Sequence, residues 1–131
     1  DLHPHNFLFF DGRLAALIDF GQVSIADQEN DVAMACHRLV RQYVVHQGKP
    51  WQETLANGVH LFLDAYTGIM PMTDQRIKLV PTFATGLLLR KIVYNFSLYK
   101  TGKRSWEPAL FQVKRFFAFF EEIAAIEAVL A

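Results

Sequence analysis

The chain has 131 residues, and 52% are apolar, with 12 Phe and 4 Tyr, which is enough to bury one core and excludes a disordered chain. The 13 basic and 13 acidic residues cancel, so no charge excess points to nucleic acid or an anionic membrane surface. The single cysteine, Cys36, excludes an internal disulfide framework and suits a reducing, cytoplasmic setting. The charge-free stretch between Lys78 and Arg90 is too short for a membrane span, which needs about 20 apolar residues.

Two short β-type runs come first, Phe7 to Phe10 and Leu14 to Ile18. The pair Asp11-Gly12 between them is a strong hairpin signal, because a tight two-residue turn needs positive φ. After residue 25 the sequence reads as helix. Val32, Cys36, Leu39, Val40, Tyr43 and Val44 recur at helical spacing, and Gly48 with Pro50 ends that helix. A second helix runs from Pro50 or Trp51 to Tyr66, with Leu55, Val59, Phe62 and Leu63 on its apolar stripe. Thr73 caps a third, which Pro81 kinks or restarts and Gly102 ends. Its stretch from Phe83 to Phe96 is apolar on most sides, as in an enclosed central helix. A fourth runs from about Trp106 to Leu130. The expected class is α+β, mainly α: one β-hairpin, at about 7–18, followed by four helices in a single domain, 1–131. A two-stranded hairpin is marginal alone, so it must pack on the helices or on something outside this chain.

The hairpin has a chemical consequence. Asp1, His3, His5 and Asn6 precede its first strand, and Asp19-Phe20-Gly21 follows its second. Antiparallel strands start and finish at one edge, so Asp1, Asn6 and Asp19 are expected in one cluster. Asn and Asp oxygens are the hard donors that Mg²⁺ prefers, and a further Asp can orient and deprotonate a hydroxyl.

The motif Asp1-Leu2-His3-Pro4-His5-Asn6, a hairpin, then Ala16-Leu17-Ile18-Asp19-Phe20-Gly21, resembles the catalytic and metal-binding segments of kinases. Its details resemble the aminoglycoside phosphotransferase and choline kinase branch, and Asp27 with Asp31-Val32-Ala33 resembles that family's next conserved stretch. The resemblance implies the C-terminal lobe of a kinase-like fold. It implies Asp1 as catalytic base, Asn6 and Asp19 as ligands of the Mg²⁺ that bridges the phosphates of ATP, and His3 and Asp31 as residues that shape and brace the loop. The implied reaction is transfer of the γ-phosphoryl of ATP to the hydroxyl of a small molecule. Aminoglycoside, choline, homoserine and sugar-like acceptors all stay open.

The match is dense over residues 1–33. His5 departs from it, standing where Gly is common. The sequence opens on Asp1 and is read as a piece of a longer protein, without the N-terminal lobe that would clamp ATP, so the piece alone is expected to be inactive. The rival reading is a non-catalytic kinase remnant, or a helical interaction module docking through its Phe-rich surface. Simpler roles stand beside the sharp ones. Asp31 also suits a helix N-terminus, Asp27 reads first as a cap, Cys36 as a buried thiol, and His37, His46 and His60 as surface or core-edge residues. The stripe Phe111, Phe116, Phe117, Phe119 and Phe120 covers more than one helix face, so self-association through exposed apolar surface is expected. Beyond residue 60 the acids do not cluster, which weighs slightly against a heavily cationic acceptor.

Overall fold

In the computed structural model, which describes residues 2–21, 25, 27–48 and 51–131, a short 3-10 helix, Pro4–Asn6, leads into a hairpin. Strand β1 (Phe7–Phe10) pairs antiparallel with β2 (Arg13–Leu17). Asp11 and Gly12 both take positive φ, 48° and 70°, the mirror-image turn whose twist matches that of the strands. Leu8 faces Ala16 and Phe9 faces Leu14, so β2 carries one extra residue, Ala15, between them. Among the described residues the hairpin is mostly exposed and packs little on the helices. Both its faces are open, with Phe9 67% and Phe10 79% exposed.

Five helices follow among the described residues: α1 (Gln28–Gln47), α2 (Trp51–Thr67), α3 (Asp74–Lys78), α4 (Val80–Lys100) and α5 (Trp106–Leu130). Gly48 ends α1 in the left-handed conformation at φ 61°, which costs glycine nothing. The Thr73 hydroxyl accepts a bond from the Arg76 amide at 3.3 Å and caps α3. The third predicted helix divides at Leu79, and Pro81 sits in the first turn of α4, where its missing N–H costs no helical bond.

The core lies where α1, α2, α4 and α5 meet. Val32, Cys36, Val40 and Val44 of α1 pack with Leu55, Val59 and Leu63 of α2, Ala84 and Leu88 of α4, and Phe116, Phe119, Ile123 and Ile126 of α5. Leu88 is 1% exposed, and its burial contributes about 2 kcal/mol. Helices α1 and α2 approach closely at Gly58, where a Cβ would lie 2.9 Å from Tyr43 Cδ1 and 3.1 Å from Val40 Cγ1. One expectation is corrected. Helix α4 is not enclosed: it packs on α1 and α5 but leaves Leu89, Val93 and Tyr94 on the surface. The reason is that no described element covers its outer face, so an all-round apolar pattern overstates its burial. No helix of the described residues is long and apolar enough to cross a membrane.

Candidate active site

The loop before the hairpin is fixed by backbone bonds. The Asn6 amide donates to the His3 carbonyl at 2.9 Å, closing the 3-10 turn that Pro4 begins. The Ile18 amide then donates to the Asn6 carbonyl at 3.0 Å. That single bond ties the entry of β1 to the exit of β2 and sets Asp19 one residue from the partner of Asn6. Asn6 is buried, 6% exposed.

Asp19 has φ 64°, a left-handed conformation that aspartate tolerates better than most residues, though at a cost. Strain of this kind persists where the surroundings over-determine it, and it clusters at functional positions. Its Oδ1 lies 3.6 Å from where a Cβ on Gly21 would stand, so the carboxylate reaches over a glycine. Asn and Asp oxygens are hard donors of the kind Mg²⁺ prefers. Among the described residues no group of three His, Cys, Asp or Glu converges.

The remaining candidates fall as follows. Asp1 lies outside the described residues. His3 is half-buried and His5 exposed, with their rings 5.5 Å apart, edge to face. Burial, then the charges of Arg38, His5 and Lys91, hold the His3 imidazole below its ordinary pKa. Asp31 is exposed in the first turn of α1, where its charge suits the positive end of the helix. Asp27 occupies the N-cap position of α1, but its side chain makes no capping bond.

Sequence reasoning missed the cationic groups behind the loop. Arg38 of α1 and Lys91 of α4 place their charges on each other and on His3. Burial, with the charge of Arg38, brings the Lys91 ammonium down to about 8. The Arg38 Nε is buried without a hydrogen-bond partner among the described residues. Nothing in the spacing of residues 38 and 91 announces this, because it depends on how α1 and α4 pack.

Two carboxylates also do structural work unforeseen in the sequence. Buried Glu29 accepts from Arg76, tying the start of α1 to α3. Glu122 of α5 bonds His37 at 2.8 Å and Arg41 at 2.9 Å. His37 is therefore a buried partner rather than a surface residue. Burial also sends the Cys36 thiol up to about 12, so it packs as an inert apolar group.

A protein-family model described as a phosphotransferase enzyme family matches residues 1–69, more than half of the chain, from the catalytic-type loop through α2. No curated protein and no solved structure matches the chain.

Proposed function

This chain belongs to the phosphotransferase enzyme family, and from that premise we propose that it carries the catalytic loop of an ATP- and Mg²⁺-dependent kinase of small-molecule hydroxyls. What supports this reading is the 3.0 Å bond from the Ile18 amide to the Asn6 carbonyl, which brings the backbone of Asn6 and the residue before Asp19 to one edge of the hairpin.

In this reading Asp1 orients the acceptor hydroxyl and takes its proton. The acceptor oxygen bonds to the γ-phosphorus as the bond to the bridging oxygen of the departing ADP breaks. Asn6 and Asp19 would hold Mg²⁺ through amide and carboxylate oxygens, and His3 and Asp31 would keep the loop in shape. Mg²⁺, when bound, neutralises charge on the transferring phosphate. The chain contributes chiefly positioning and fixed charge, the main sources of rate in phosphoryl transfer.

The rival, a catalytically silent interaction module, is favoured by the exposure of Phe111 and Phe117 on α5, 64% and 61%. One experiment separates the two. Phosphoryl transfer from Mg-ATP is measured for the protein carrying this chain and for its Asp1→Ala variant. Removing a general base should lower turnover by about 10²–10⁴-fold. Wild-type rates in Asp1→Ala would remove Asp1 from the mechanism, and no turnover in either would favour the silent module.

A further inference from the structure

Three arginines gather where α5 meets α1. Phe119 of α5 is 4% exposed, and two guanidiniums lie against its ring. Arg41 of α1 stands 5.4 Å from the ring centre and Arg115 of α5 stands 5.6 Å from it. Arg38 lies one turn before Arg41 on the same side of α1. Arg115 is exposed, and Arg38 and Arg41 are half-buried, so a solute can reach the group.

Like charges held together need counter-charge. Glu122 supplies some of it, but its two oxygens are already given to Arg41 and His37. Among the described residues neither Arg38 nor Arg115 forms an ion pair.

Arg38 is the sharper case. Its Nε is buried and has no hydrogen-bond partner among the described residues. A buried donor left unmade costs as much as a lost bond. Burial, then the charges of Arg115 and Arg41, hold its guanidinium below the ordinary value. A guanidinium nevertheless keeps its proton in a protein, so the repulsion is not relieved by titration. Lys91 adds a further positive charge from α4. A cation with cations around it and an unused donor beneath it marks the place of an absent anion.

The charge and shape of the donors describe that anion. Two arginines without acids offer two positive charges and several N–H donors, which suit the oxygens of a phosphate dianion. We propose that the seam of α1 and α5 binds a phosphate group, held by Arg38 and Arg115 with Arg41 beside them. The site uses neither Asn6, Asp19 nor a metal ion, so it goes beyond the phosphotransferase reading and does not depend on it.

The test titrates the protein carrying this chain with inorganic phosphate, with glycerol 3-phosphate, and with sodium chloride at equal ionic strength. EDTA is present throughout, which silences any Mg²⁺-dependent phosphate binding at the loop. Calorimetry reads affinity and thermal melting reads stabilisation. At tenfold its dissociation constant, phosphate should raise the melting midpoint by about 2–6 °C above the chloride control. Arg38→Met and Arg115→Gln should each weaken phosphate binding about tenfold, the effect of one charge-assisted bond. Arg38→Met should also melt no lower than wild type in phosphate-free buffer, because it removes an unpaired buried charge. A purely structural Arg38 would instead lower that midpoint. Binding of both ligands assigns the site to the phosphate group itself, and binding of glycerol 3-phosphate alone assigns it to a phosphate ester. Binding of neither, shifts no larger than those in chloride, or undiminished affinity in the folded variants each overturns the proposal.

Discussion

Replacing Glu122 tests how α5 is held to α1. One carboxylate oxygen bonds His37 Nε2 at 2.8 Å, and the other accepts from Arg41 Nε at 2.9 Å. The two bonds are not equivalent. His37 is 3% exposed, so losing its partner strands a buried polar group, at about 1.5–3 kcal/mol for a bond to a charged acceptor. Arg41 is 37% exposed, and solvent screens its pair to about 0.2–1 kcal/mol. Glu122→Ala should therefore cost about 2–4 kcal/mol, and Glu122→Gln less, since an acceptor remains. Burial pushes the Glu122 carboxyl up, but the bonds from His37 and Arg41 outweigh it and leave the group below its ordinary value. A depressed carboxyl stabilises the fold above its unfolded pKa and loses that contribution as pH falls through its folded pKa. The gap between wild type and Glu122→Gln should thus be full at neutral pH and close in acid. Urea unfolding read by circular dichroism measures both effects, with a midpoint shift of about 1–2 M expected for Glu122→Ala. A loss under about 0.5 kcal/mol, in the range of an ordinary surface substitution, would refute the reasoning, as would a gap to Glu122→Gln that does not change with pH.

Three further outcomes follow from packing. Gly58→Val should destabilise by about 1–3 kcal/mol, because its Cβ meets Tyr43 and Val40; unchanged stability would mean that α1 and α2 part freely. Leu88→Ala should cost about 2–5 kcal/mol by opening a void among the helices, and a near-neutral result would place Leu88 outside the core. Paired Phe9→Ser and Phe10→Ser changes should stay within about 0.5 kcal/mol, since both rings are exposed; a large loss would show the hairpin packed on the helices after all.

Local chemistry made much of the fold legible. Asp11-Gly12 announced the hairpin because its turn needs positive φ, and α5 runs from Trp106 to Leu130, as its periodicity predicts. Pro81 signalled a restart, and the break fell at Leu79. Long-range pairing was not legible. The partners of Glu29 and Glu122 lie on other helices, and no spacing encodes them. The exposure of α4 was misread for a related reason: apolar residues on every side describe a helix that tolerates burial, not one that has a neighbour on every side. At the site, Asn6 and Asp19 could be paired from the sequence because a hairpin must return its chain to the starting edge. Arg38 and Lys91 could not, since their proximity arises only when α4 lies against α1.

The central claim is that Asp19 serves Mg-ATP. Asn is the best substitution for testing it, because Asn also tolerates the left-handed conformation found at φ 64° while losing the negative charge. Mg²⁺-dependent phosphoryl transfer from ATP, measured for the protein carrying this chain and for Asp19→Asn at equal folded fraction, is the most direct measurement. The account predicts a fall of about 10²-fold or more, the scale on which a lost electrostatic group reduces turnover. Turnover in Asp19→Asn equal to wild type, with the same Mg²⁺ dependence, would contradict it.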